Sequence, residues 1–542
     1  MDHEIERKKD LASILDSKHP RKVVVAGPGT GKSFLFEQAI KKKKEKGGKS
    51  FLAITFIGKL GDALADDLAG LAETMTLHGF ARRLVLKNSP VGWEYYPKTT
   101  EIIGEDLALN GITEYKIGDS NYLERTKFYK SVGEDDVVFY ALQICKKNPD
   151  KIPRYDLILI DEFQDFNEIE AEFIDLLTTK NEVIIVGDDD QALYGFKGSD
   201  PKFIREKHEK TNTDFESHTL RFCSRCTEVI ICAFHNIVSH YGLNKENNGR
   251  IKKDYLYFLP GKKQDSELNP EILVFKDTPP PHIPIKILSE LEEILMTQKI
   301  KTVLIIGEGQ SCIALLSYTA KKMKEFGLKN TTYHGISDKV FSFKSNILNG
   351  YKILSKEKNE IIAWRLLIED MSEAEKNKII LNSFKGKEKF IESIPEDFKT
   401  MHRKSAKTLQ SILTKPASGR KAIADSSIEQ LEKQVVLKEK EKRNVFIDQL
   451  VNESKNLSRP LVNLEITVCS ILGSKGLGAD VVFLLGFDQG KLPMKDEQTD
   501  SEIYQMLVAL TRAKKRIYLV NTKDQKISAF IECVESKHYK II

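Results

Sequence analysis

Eight residues near the start of the chain, Ala26-Gly27-Pro28-Gly29-Thr30-Gly31-Lys32-Ser33, constrain the fold more than any other segment. They follow a short β-branched run, Lys22 to Ala26, and lead into a segment with helical patterning. They therefore read as a glycine-rich turn between a buried strand and a helix. In that setting glycines let backbone N–H groups close round a phosphate, and the helix N-terminus adds a favourable field. Gly27, Gly29, Thr30 and Gly31 are the expected cradle. Lys32 is the expected cation for the β- and γ-phosphates, and Ser33 the expected Mg2+ ligand.

A strand of this kind is buried on both faces, which calls for a parallel α/β sheet. Similar runs recur at Phe51–Thr55, Leu157–Ile160 and Val183–Val186, with helical stretches between them. A second set lies at Glu271–Phe275, Thr302–Ile306, Val481–Leu485 and Arg516–Val520. A chain of 542 residues is too long for one core, so two α/β cores are expected. The first comprises residues 1–85 and 151–220, the second 221–344 and 461–542. Residues 86–150 and 345–460 read as helical insertions, the latter rich in Lys and Glu, as in Glu429–Asn456, and suited to a solvated helix face. The Lys41–Lys44 run falls at the end of the helix that follows the glycine-rich turn, where cations complement the dipole; a phosphate contact there is the alternative.

Composition narrows the class. With 41% apolar and 30% charged residues the chain is globular, and its net charge of +5 says little about partners. Seven cysteines without regular spacing suit a reducing cytoplasm rather than a disulfide framework. The charged N-terminal segment lacks the apolar core of a signal peptide, and the apolar runs are strand-length, so a soluble, cytoplasmic protein with no membrane partner is expected. Cys223 and Cys226, with Cys232 and His235 nearby, are not spaced like common zinc ligands, and the segment carrying Arg225 reads as helical.

Two acidic motifs end buried strands. After Leu157–Ile160 come Asp161-Glu162-Phe163-Gln164-Asp165. Adjacent carboxylates at such a place are costly unless used. Asp161 suits Mg2+, leaving Glu162 to activate water. The stretch Val186-Gly187-Asp188-Asp189-Asp190-Gln191-Ala192-Leu193-Tyr194-Gly195-Phe196 repeats the pattern. Gln191 is placed to sense a γ-phosphate, and Tyr194 and Phe196 to stack on bases, although a single aromatic is more often core.

These three blocks resemble motifs I, II and III of superfamily 1A helicases, the UvrD/Rep/PcrA family. The other motifs have counterparts in the same order: Thr55-Phe56; Thr76-Leu77-His78-Gly79-Phe80; Leu220 through Ile230; Tyr333-His334-Gly335; Ile466-Thr467 through Lys475-Gly476-Leu477; and Val508-Ala509-Leu510-Thr511-Arg512-Ala513-Lys514. The resemblance implies two RecA-like parallel-sheet P-loop NTPase cores with small helical insertions. It implies that Arg225 and Arg512 reach the γ-phosphate from the second core, and that Gly476 lies in the nucleotide site. Thr55, Phe56, His78, Tyr194, Phe196, Thr467 and Ser470 become the nucleic-acid contacts, with Phe56 and Phe196 as base-stacking residues. The implied activity is Mg2+-dependent hydrolysis of ATP or another nucleoside triphosphate, coupled to 3′-to-5′ movement on single-stranded DNA or at a single-/double-strand junction. DNA repair or anti-phage defence is the implied setting, with a protein partner such as a nuclease, as for the compact helicase-like subunit of the Gabija system. The alternative is an NTPase that senses DNA ends and controls a partner nuclease without processive unwinding.

Four departures concern mostly base and sugar recognition. No glutamine precedes Gln38, Ser224 stands where the family has a tyrosine, Gly478 replaces a glutamate, and Leu472 a histidine. They predict intact hydrolysis with relaxed base selectivity. The short insertions predict weak unwinding by the chain alone.

Overall fold

The computed structural model describes residues 3–56, 58–68, 70–90, 93–209, 214–241, 249–334, 340–356, 360–413, 461, 463–495 and 498–542. Gly335 and the charged stretch Glu429–Asn456 lie outside the described residues.

The strands are, in chain order, β1 (Arg21–Ala26), β2 (Phe51–Thr55), β3 (Glu73–Thr76), β4 (Glu94–Tyr95), β5 (Ser131–Val132), β6 (Leu157–Ile160), β7 (Val183–Gly187) and β8 (Glu216–Leu220). There follow β9 (Phe222–Cys223), β10 (Leu256–Tyr257), β11 (Ile272–Thr278), β12 (Thr302–Gly307) and β13 (Thr331–His334). The last are β14 (Glu465–Ser470), β15 (Ala479–Leu485), β16 (Ala513–Thr522) and β17 (Tyr539–Ile541).

Two parallel sheets dominate. The first has six strands in the order β3-β2-β6-β7-β1-β8, and the second seven in the order β13-β14-β12-β15-β16-β11-β17. Both belong to one compact unit of residues 1–77, 150–336 and 454–542. The apolar runs became the inner strands: Val23, Val24 and Val25 of β1 and Ile158, Leu159 and Ile160 of β6 are fully buried. Strands β3, β8, β13 and β17 lie at sheet edges. Edge strands need no continuous apolar run, and the mixed polar sequences of these four gave no strand signal.

The order of the first sheet positions the site. The chain leaves β1 and skips over two strands to reach β2, so β6, β7 and β1 are neighbours although far apart in sequence. Val25 pairs with Gly187, and Ile160 with Ile185. The segments that follow β1, β6 and β7 therefore emerge along one edge, the carboxyl edge where open α/β sheets bind ligands.

The insertions form a second unit, His78–Pro149 with Ser337–Glu453. The insertions were expected over 86–150 and 345–460, and the helix Leu77–Asn88 continues directly from β3. The two insertions were expected as separate subdomains but share one core. Ile103, Leu107, Tyr122 and Tyr129 of the first pack with Ile362, Trp364, Leu366 and Phe390 of the second. A buried ionic network crosses between them: Arg365, fully buried, donates from Nε to Asp106 Oδ1 at 3.0 Å, and Arg125 donates to Asp106 and to Ser383 Oγ. No described helix is long and apolar enough to cross a membrane.

Removing one partner of such a buried pair leaves an uncompensated charge, at a cost of about 3–5 kcal/mol. Arg365→Ala is expected to lower the stability of this second unit by about that amount. Both tryptophans, Trp93 and Trp364, belong to it, so urea unfolding followed by tryptophan fluorescence reads the change.

Candidate active site at the seam of the two sheets

The turn after β1 closes on itself through Thr30 Oγ1, which donates to the Gly27 carbonyl at 2.8 Å. Gly29 and Gly31 adopt φ of +72° and +96°, in the left-handed region. Close approach also demands glycine: a Cβ on Gly27 would lie 2.7 Å from the Tyr255 ring, and one on Gly29 2.3 Å from Arg225 Cβ. The helix Lys32–Glu45 starts directly from this loop.

Lys32 Nζ donates to Glu162 Oε1 at 2.7 Å and lies 3.8 Å from Asp161 Oδ1. Glu162 has φ +54°, strained for a residue with a side chain. Gln164 Nε2 holds its other oxygen at 2.7 Å. Burial lifts the Asp161 carboxyl to about 6 in spite of Lys32. Burial acts on Glu162 too, but Lys32 and Lys475 outweigh it and hold that carboxyl far below the usual range. Ser33 at the foot of the loop and Asp161 opposite offer hard oxygen donors, which suit Mg2+.

The second sheet closes the site. Arg512, fully buried, donates from Nη2 to Gln191 Oε1 at 3.2 Å, from Nη1 to the Leu477 carbonyl at 3.0 Å and from Nε to the Val508 carbonyl at 3.0 Å. Burial, then the neighbouring Arg225, bring its pKa down to about 10. Arg225 sits in the bend before the helix Glu228–Tyr241, not on that helix as its sequence suggested. Beside it Ser224 binds the Gly29 carbonyl through its N–H at 2.9 Å and its hydroxyl at 3.1 Å. No carboxylate lies within ion-pair distance of Arg225 among the described residues. A Cβ on Gly478 would stand 3.6 Å from its Nε. Gly476, with φ +81°, occupies the turn between Lys475 and Leu477.

Sequence reasoning missed several participants. Lys475 Nζ donates to Asp165 and, at 2.8 Å, to the Gln191 carbonyl, pinning the turn after β14 to the first sheet. Asp188, Asp189 and Asp190 crowd their carboxylates within 4.8 Å, as metal ligands do. The cation there is the protein's own: Lys253 Nζ lies 2.6, 2.5 and 2.7 Å from the three in turn. Arg250 forks onto Asp190 at 2.7 Å through both nitrogens, and Arg205 donates to Asp189 at 2.9 Å. In this strip Ile251, Lys253 and Tyr255 are buried while Lys252 and Asp254 are exposed, an alternation that the residue types Ile-Lys-Lys-Asp-Tyr do not announce. Cys223 and Cys226 are buried beside the phosphate loop, while His235 binds the Tyr255 carbonyl. No cysteine–histidine cluster occurs among the described residues.

The expected nucleic-acid residues fall in different settings. Phe196 is 71% exposed. Its ring centroid lies 6.0 Å from buried Tyr194, which in turn lies 4.7 Å from half-buried Phe56. Thr55 is fully buried and its hydroxyl has no hydrogen-bond partner. Thr467 and Ser470 are half-buried on β14, and Ser470 Oγ accepts from the Gly473 N–H. His78 lies in the helix Leu77–Asn88.

Comparison with known proteins agrees with this architecture. Residues 113–212 match the UvrD/REP helicase N-terminal domain and residues 311–524 the UvrD-like helicase C-terminal domain. A probable DNA helicase II homolog of Rickettsia felis is 23% identical over 97% of this chain and 93% of its own length. Its counterpart in Mycoplasma capricolum is 26% identical over 72% of this chain and 59% of its own. An ATP-dependent helicase/nuclease subunit from Lactococcus lactis is 34% identical over 120 residues, which span 21% of this chain and only 10% of that protein. The chain belongs to the UvrD-like helicases of superfamily 1A.

Lys253→Met leaves Asp188 without its cation, and Asp189 and Asp190 with only Arg205 and Arg250, and a loss of about 3–5 kcal/mol is expected. Lys253→Arg keeps the charge and is expected to restore much of it. Chemical unfolding of the full chain, followed by far-ultraviolet circular dichroism, measures both.

Proposed function

We propose that this protein hydrolyses nucleoside triphosphate with Mg2+ at the seam and uses the cycle to move along single-stranded DNA. The observation that supports this reading is that Arg512 donates to Gln191 while Ser224, next to Arg225, donates to the Gly29 carbonyl, so that chain beyond β8 meets both the phosphate loop and the loop after β7. Lys32 turns from Glu162 to the β- and γ-phosphates. Glu162, released, takes a proton from the attacking water at its Oε1. Ser33 and Asp161 would hold Mg2+, which supplies charge neutralisation at the phosphates. Arg225 and Arg512 meet the charge that spreads over the phosphoryl oxygens in the transition state. Departure of the phosphate after hydrolysis removes that charge and weakens the grip of one sheet on the other, which makes closure of the seam depend on the nucleotide. Phe196 stacks on bases of the strand, backed by Tyr194 and Phe56.

The nucleobase is held by faces rather than edges. Arg7 lies over the Phe258 ring at 4.8 Å, and its Nη2 would be 3.6 Å from a Cβ on Gly31. Phe34, in the first turn of the helix after the loop, is 48% exposed. Ser224 is occupied with Gly29. Guanidinium and phenyl faces accept any base, which supports use of GTP and other nucleotides beside ATP. Movement from 3′ to 5′, a role in repair or defence, and a nuclease partner complete the proposal. The Lactococcus relative, whose name joins helicase and nuclease, supports the last. It equally favours a second reading, in which DNA-gated hydrolysis controls that partner without processive unwinding; displacement of streptavidin from a DNA end separates the two.

Glu162→Gln is expected to abolish hydrolysis while leaving nucleotide binding within about twofold, read by steady-state turnover and fluorescent-nucleotide titration. Arg512→Ala is expected to lower kcat by about 10³-fold or more. Phe196→Ala should weaken oligonucleotide binding by about 1–3 kcal/mol. Turnover that single-stranded DNA leaves unchanged contradicts the motor reading. A strict preference for ATP in nucleotide competition contradicts the base reading alone.

A further inference from the structure

The first sheet carries a second recess, at the opposite ends of its strands from the phosphate loop. A cavity of about 220 Å3 opens there between the starts of β1, β6 and β7, the end of the helix Lys32–Glu45 and the end of the helix His3–Asp16. Its floor is aliphatic, with Ile14, Leu157 and Ile184, and its walls carry five lysines: Lys18, Lys22, Lys42, Lys43 and Lys46. The Lys41–Lys44 run of the sequence thus joins lysines from two other elements.

Charge in this recess is unbalanced. Glu182 is the carboxylate in the lining, and it is shared: Oε2 takes Lys43, while Oε1 stands 3.7 Å from Lys22 Nζ. Lys42 pairs with Asp16 at the rim. Lys18 and Lys46 make no ion pair among the described residues. Lys22 is only 3% exposed. Burial pulls its ammonium below the ordinary lysine range, and Glu182 and Glu216 do not make up the difference. A buried ammonium with one distant, shared counter-ion is stabilised by any anion that enters.

We propose that this cavity is a binding site for a small phosphate-class polyanion, of which inorganic pyrophosphate is the simplest, separate from the nucleotide site. The volume sets the size, since it is below the roughly 300–1,000 Å3 of pockets that hold drug-sized ligands. The lysines set the class: ammonium groups bind phosphates as point charges, without the planar fork that selects a carboxylate. The depth of Lys22 excludes a continuous nucleic-acid backbone, which cannot follow a strand start into the sheet. The anion would join the last turn of the helix that begins at Lys32 to the foot of β1, so the site touches both ends of the element bearing the phosphate loop.

Isothermal titration of pyrophosphate into the full chain carrying Lys32→Ala, which disables the phosphate loop, tests the proposal apart from the hydrolytic reading. One equivalent is expected to bind saturably, and adding Lys22→Met is expected to weaken it at least tenfold without lowering the thermal unfolding midpoint, since Met is similar in volume and removes a buried charge. Lys43→Met provides a second variant at the rim and is expected to weaken binding severalfold. Absence of saturable heat up to millimolar pyrophosphate overturns the site. So does undiminished affinity in both lysine variants, equal affinity for chloride (an adventitious ion only), or displacement by a short oligonucleotide, which assigns the lysines to nucleic acid.

Discussion

Buried carboxylates at the seam are the constraint on which the rest depends. Asp161, Glu162 and Asp165 end β6, Asp188, Asp189 and Asp190 end β7, and all six are buried or nearly so. Each such charge costs several kcal/mol unless a cation meets it. Lys32 is the first sheet's own cation beside Asp161 and Glu162, and Arg205 a second beside Asp189, but Lys475, Lys253 and Arg250 come from chain beyond β8. The acidic edge of the first sheet is therefore satisfied only when the later part of the chain is seated on it. The groups beside the phosphate loop and the groups that hold the two sheets together are one network. A change of charge at Glu162 is felt at once by Lys475, and through Gln191 by Arg512.

That coupling gives the departures from the family pattern a physical meaning. Ser224 is short enough to bind the Gly29 carbonyl, and Gly478 leaves the Arg225 guanidinium without a side chain across from it. In the proposed function, phosphate recognition is thereby retained by backbone and charge, and recognition of the base passes to the flat surfaces of Arg7 and Phe34. The strained backbone of Glu162, at φ +54°, is kept in place by Lys32 and Gln164, a form of preorganisation at the reacting end of the site.

The second unit illustrates a different economy. The two insertions together make one core around Trp364, with Arg365 and Asp106 as its ionic centre. Short insertions can remain ordered in this way without enlarging the chain.

Local sequence determined most of the inner strands and the loops that follow them; β14, inner in the second sheet, was not read as a strand because Glu465–Ser470 carries no continuous apolar run. A β-branched run between two helical faces has no other place to go than the middle of a parallel sheet, and a glycine-rich turn or an acidic pair after it then lies at the carboxyl edge. Hence Lys32, Asp161, Glu162 and Gln191 could be named as one constellation from spacing alone. Edge strands such as β3 and β8 were not legible, because half-covered strands carry no distinctive pattern. The fusion of the two insertions was not legible either, since shared burial between residues 102–129 and 353–406 leaves no trace in either segment. Nor were the cations of the seam. A lysine at 253 or 475 looks like any solvated lysine until the fold puts three aspartates or a buried carboxylate in front of it. Tertiary structure decided those partners, because the free energy of a buried charge is set by what lies within a few ångströms and not by its neighbours along the chain.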